Sequence, residues 1–89
     1  MNKMFQIDVI TPINTTNLGN SDYLRAPGLD GLFGVQAKHV NSIISIGAGE
    51  IKVTKDGSDT FFKTNGGYAD IKSEGVILIL ETFEEINKN

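Results

Sequence analysis

Glu50-Ile51-Lys52-Val53-Thr54-Lys55-Asp56-Gly57-Ser58-Asp59-Thr60-Phe61-Phe62-Lys63-Thr64 is a strand, a turn and a returning strand. Ile51 and Val53 alternate with polar neighbours over Glu50 to Thr54, the pattern of a strand with one dry face, because successive strand side chains point to opposite sides. Asp56-Gly57 is a dipeptide that tolerates the positive φ of a tight hairpin turn. Thr60 to Thr64 then reads as the return strand.

The same grammar extends in both directions. Towards the C-terminus, Asn65-Gly66-Gly67 turns the chain, Ala69 and Ile71 continue the core face, and Ser73-Glu74-Gly75 turns it again. Val76 to Leu80 is apolar at every position, which predicts a central strand covered on both faces. Towards the N-terminus, Leu32 to Gln36 is a strand framed by glycines, and Asp22 to Ala26 is another, ended by Pro27-Gly28. Asn14 to Ser21 reads as a polar, turn-rich stretch with Gly19-Asn20 as its turn. Phe5, Ile7 and Val9 alternate with Gln6 and Asp8 in a first strand that Thr11-Pro12 breaks. Val40 to Ile44 has room for one helical turn at most and is expected to be irregular or extended. The prediction is one all-β domain, with a strand-rich core over residues 5–82 and a short, fraying tail over residues 83–89. Short strands with frequent turns point to a sandwich or barrel.

Composition narrows the function. Eighty-nine residues hold one core, and a core of this size gives modest stability. The chain has no cysteine, which removes disulfides, thiolate metal sites and cysteine nucleophiles. Its net charge of −3, with acids and bases scattered, lacks the basic stripe that nucleic-acid binding requires. Nothing apolar follows Met1-Asn2-Lys3-Met4 in the manner of a signal peptide. The run Val76 to Leu80 is far short of the roughly 20 residues of a spanning helix. Direct membrane insertion is not expected.

Few residues offer chemistry. His39 is the only histidine, and the nearest preceding acid is Asp30, so neither a metal cluster nor a nucleophile relay assembles around it. The aspartates fall at turns or on wet strand faces, where they serve turn formation and solubility. The sharpest local pattern is Gly28-Leu29-Asp30-Gly31-Leu32-Phe33-Gly34, with glycine at every third position. It lacks the Lys-Ser or Lys-Thr and the helix of a phosphate loop, and the βαβ setting of a dinucleotide fingerprint. What remains is a tight loop whose glycines permit positive φ or close backbone approach. Leu29 and Leu32 either project outward as an adhesive knob or turn inward to close the sandwich edge, and the residues leave both open.

In order and spacing, these segments resemble the epsilon subunits of rotary ATP synthases. The resemblance is carried by Phe5-Gln6-Ile7-Asp8-Val9-Ile10-Thr11-Pro12, by Gly28 to Val35, by His39 at its spacing, by Phe62 with Asn65-Gly66-Gly67, and by Val76 to Thr82. It covers residues 5–82. The chain departs from the family pattern in having Ala37-Lys38 before the histidine and Val40-Asn41 after it, and in Leu32-Phe33, which leaves Asp30 as the only acid of the loop. Family members usually continue into a C-terminal helical hairpin. The seven residues from Phe83 to Asn89 would span about 10 Å as a helix, so the resemblance implies coupling without braking through such a helix, whether the form is naturally short or truncated.

The resemblance implies a two-sheet β-sandwich of about ten short strands that acts as a non-catalytic rotor subunit, with no cofactor. Leu29, Asp30, Gly31 and Leu32 are expected to face the ring of c subunits, and His39, Ser42 and Ile44 to face the gamma subunit. Gly28, Gly31, Gly34, Gly66 and Gly67 would hold the backbone. The implied location is the cytoplasmic face of the cell's inner membrane, as a peripheral part of the complex. Two other classes fit less well. A stand-alone sandwich module for a peptide or carbohydrate tends to expose aromatics, and this chain has no tryptophan. A small barrel enzyme would need more than a lone histidine.

Overall fold

A computed structural model describes residues 4–36 and 41–87. The described residues form ten strands and no helix: β1 Phe5–Ile10, β2 Thr15–Ser21, β3 Tyr23–Gly28, β4 Gly31–Val35, β5 Ser42–Ile46, β6 Gly49–Lys55, β7 Ser58–Thr64, β8 Gly67–Lys72, β9 Gly75–Leu80 and β10 Glu84–Ile86. The hairpin around Asp56-Gly57 is β6–β7, paired from Gly49↔Thr64 to Lys55↔Ser58. Its turn has φ of 52° at Asp56 and 81° at Gly57, and Asp56 is the only non-glycine with positive φ among the described residues.

The strands follow one hydrogen-bonded path, β10-β7-β6-β3-β5-β8-β9-β1-β2, with β4 added on β3. Strand β3 is the corner. Tyr23, Leu24 and Arg25 pair with β6, whereas Gly28 at the other end pairs with Ile46 of β5. The Gly47 N–H donates to the Pro27 carbonyl at 2.8 Å and secures the crossing. The path therefore folds over into two layers, β10-β7-β6-β3-β4 and β5-β8-β9-β1-β2. All pairs are antiparallel except β1 with β9, which run parallel. This is the expected sandwich.

Alternation fills the space between the layers. Leu24, Ala26, Val35, Ile51, Val53 and Phe62 come from one layer, and Phe5, Ile7, Val9, Ile46, Ala69, Ile71, Val76, Leu78 and Leu80 from the other. Ser21 and Thr64 are the buried polar exceptions among the described residues; Thr64 Oγ1 accepts from the Gly66 N–H at 3.0 Å, whereas the Ser21 hydroxyl has no hydrogen-bond partner. A buried, unsatisfied hydroxyl costs about 1–3 kcal/mol. Ser21→Ala is expected to raise stability by about 1 kcal/mol, read as a shift in the urea midpoint without a change in slope. A loss of stability would mean that the hydroxyl is satisfied in solution.

Three sequence readings need correction. Residues 15–21 are strand β2, not a turn region, because the polar stretch pairs with β1 at an edge and needs only one apolar side; Gly19, with φ 78°, sits at a bulge where the β1 register shifts, not at a reversal. Of the stretch expected to be irregular or extended, Ser42 to Ile44 are extended, within β5. The tail does not fray at once: Glu84–Ile86 pair with Lys63, Phe62 and Phe61, and the Phe83 ring stacks on Phe62 at 4.3 Å between centroids. Strand β9 is flanked by β8 and β1 but covered on one face only. Ile77 is half-buried and Ile79 is 47% exposed.

Candidate functional site

The glycine-rich segment is the β3–β4 hairpin. Gly28 pairs with Gly31, and Leu29-Asp30 form the two-residue turn. Neither turn residue has positive φ; Gly31 takes that role at 126°. With the backbone so pinned, Leu29 is 76% and Leu32 66% exposed, which decides between the two orientations: both leucines point outward. Asp30 and Gly31 are exposed beside them. Further along β4, Gly34 lies under the Tyr23 ring, where a Cβ would stand 2.8 Å from Cε1 and overlap the hydroxyl. A side chain at Gly28 would crowd the Gly31 carbonyl and the Phe33 ring. Gly66 and Gly67 carry φ of 118° and 154° at the β7–β8 turn.

Register shows what shares this end of the sandwich. Gly28 pairs with Ile46, Ile46 with Gly67 and Gly67 with Leu80; one residue earlier, Ile79 pairs with Ile10 and Ile10 with Thr15. The Leu29-Asp30 turn, the Asn65-Gly66 turn and the Thr11–Asn14 turn therefore emerge at one pole.

The second surface is the outer face of β5-β8-β9-β1. One row across it is Ser45, Tyr68, Ile79 and Ile10; the next is Ile43, Asp70, Ile77 and Asp8. Ile43 is 73% and Tyr68 55% exposed, and Ile10 and Ile79 are exposed too. Together they form an apolar band, whereas the row through Gln6 and Asn20 is polar. There the Gln6 amide donates to Asn20 Oδ1 at 2.6 Å, and the Asn17 amide donates to Asp8 Oδ1 at 2.7 Å and to Gln6 Oε1 at 3.0 Å. Sequence reasoning missed this band because Val76–Leu80 looked doubly buried.

Of the residues expected to face the gamma subunit, Ser42 is exposed at the start of β5, and Ile44 is half-buried and packs on the core. The neighbour that projects outward is Ile43. His39 lies outside the described residues. Among the described residues no group of His, Asp or Glu is placed to hold a metal ion, and no helix is long and apolar enough to cross a membrane.

A model of the ATP synthase delta/epsilon chain β-sandwich domain matches residues 4–86. The chain belongs to this family. Among curated relatives, the ATP synthase epsilon chain of Chlorobium limicola is 30% identical over 80 residues, covering 89% of this chain and 91% of that one. The epsilon chain of Caulobacter vibrioides is 35% identical over 74 residues, covering 82% and 85%. The chain spans only 56% of its relative from Maridesulfovibrio salexigens. In three dimensions it superposes on a chain of the Euglena gracilis mitochondrial ATP synthase structure containing OSCP, F1 and the c-ring, with a TM-score of 0.86 at 14% identity, covering 92% of this chain and 53% of that chain. At that identity the likeness speaks for the fold. The epsilon-chain family and sandwich fold expected from sequence are both found.

Proposed function

We propose that the chain is a non-catalytic rotor subunit in the central stalk of a proton-translocating ATP synthase. It couples rotation of the c ring to the catalytic head by gripping the gamma subunit and resting on the ring. The observation that carries this reading is the exposed pair Leu29 and Leu32 on a glycine-pinned hairpin at one pole. An apolar knob on a two-residue turn is a contact element, not a core element. The ring-facing set is Leu29, Asp30, Gly31 and Leu32, meeting the polar loops of the c subunits.

The gamma-facing set includes His39 and Ser42, with Ile44 holding β5 on the core from behind. The exposed band of Ile43, Tyr68, Ile79 and Ile10, on the outward face of the same sheet, supplies the apolar part of this contact. Residues from four strands make it a stiff surface, and a closely packed core beneath transmits strain with little deformation. The chain itself would lie peripherally at the cytoplasmic face of the inner membrane, held there by its partners.

Replacing Leu32 with Lys tests the ring contact. The side chain is already exposed, so folding is expected to survive. Interface anchors carry about 1–2 kcal/mol or more, so occupancy of the coupled state is expected to fall about 5- to 30-fold. The readout is ATP-driven proton pumping in vesicles reconstituted with the assembled complex. Unchanged pumping would remove Leu32 from the ring contact.

A further inference from the structure

The Thr11–Asn14 turn emerges at the same pole as the Leu29-Asp30 turn and is built just as firmly. The Thr11 N–H donates to the Asn14 carbonyl at 2.9 Å, and the Asn14 N–H donates to Thr11 Oγ1 at 3.3 Å. At its tip Ile13 is 89% exposed, the most exposed of the large apolar side chains described. A four-residue turn does not need isoleucine there, and removing it from water is favourable by about 25 cal/mol per Å². Ile13 borders a shallow cleft of about 360 Å³ that Thr11, Pro12, Glu81 and Glu84 also line. Lys63, opposite Glu84 across the β7–β10 pair, is the nearest described cation by register. An apolar tip rimmed by carboxylates fits a partner turn that offers an apolar side chain beside an Arg or Lys.

Resting on the rotor reading above, we propose that this turn is a second foot on the c ring, with Ile13 as anchor and Glu81 and Glu84 receiving a basic side chain of a ring loop. From Gly28 across β5, β8 and β9 to β1 there are four strand spacings, roughly 19 Å along the curved sheet. A body held at one loop pivots about that loop when torque is applied. Two anchors on separate strands at this pole, one in each layer, convert the same torque into opposed contact forces, and the sandwich then turns with the ring. The stiffness of both turns serves this purpose, because ordering a loose loop at the moment of contact would cost affinity.

The test uses the assembled ATP synthase containing the full chain, with photoreactive p-benzoylphenylalanine replacing either Ile13 or Leu29. The expected result is a c-subunit adduct from both positions, with the position-13 adduct mapping to a ring loop that carries Arg or Lys. A c-subunit adduct from position 29 together with a gamma adduct, or none, from position 13 overturns the second foot and leaves the rotor reading intact. A c-subunit adduct from position 13 alone overturns the two-footed contact by removing its Leu29 anchor, and absence of a c-subunit adduct from both positions overturns the ring contact itself, and the second foot with it.

Discussion

Gly67→Ala is expected to destabilise the chain by about 3–5 kcal/mol, as large an effect as emptying part of the core. Gly67 opens β8 with φ 154°, and a Cβ there would collide with the Ile79 carbonyl oxygen and stand 2.9 Å from Leu80 Cα. Both obstacles are backbone, and Tyr68↔Ile79 and Gly67↔Leu80 are two of the six pairs that hold β8 to β9. Relief therefore requires separating strands, not rotating a side chain. A domain of this size holds roughly 4–13 kcal/mol in total, so the variant would lose a large part of its stability. Gly57→Ala is the control. Gly57 has φ 81° but nothing within 4 Å of a Cβ, so it should cost only about 1–2 kcal/mol of left-handed strain. Urea unfolding of the two variants separates collision from strain, and equal losses would refute the collision.

The second large effect is on association. Ile43→Lys combined with Tyr68→Lys is expected to lower affinity for the gamma subunit by at least 100-fold, because each places a charge where apolar surface would be desolvated. Both side chains are mostly solvent-exposed in the chain, and surface substitutions of this kind usually change stability by no more than about 0.5 kcal/mol. The melting temperature should therefore hold while binding is lost. Full binding by the double variant would move the gamma surface elsewhere on the sandwich.

Alternation made most of the sandwich legible in sequence. Ile51 and Val53, or Phe5, Ile7 and Val9, declare a dry face by themselves, and Asp56-Gly57 declares the turn between partners. Edge strands were less legible. Strand β2 contains Asn17, Gly19 and Asn20 because an edge with a wet face needs few apolar residues, and its bulge breaks the period of two. Strand β10 begins with Glu84-Glu85, charges that suit an exposed edge but resemble a frayed tail.

The candidate surfaces were legible in part. The glycine spacing located the β3–β4 turn, but only the φ of Gly31 and the pairing of Gly28 with Gly31 showed that both leucines face out. The apolar band was hidden because β9 is apolar on both sides, and periodicity does not say whether a dry-looking face is covered by the chain itself. Ile13 carried no signal at all. An isoleucine after proline becomes notable only when the turn around it is seen to be closed and the side chain to stand in water.

The most direct measurement of the central claim is titration of the purified chain with the gamma subunit from the same ATP synthase. The expected result is a one-to-one complex with micromolar or tighter affinity, weakened by the Ile43 and Tyr68 substitutions and indifferent to ATP. Absence of a complex at high micromolar concentrations of both proteins would contradict it.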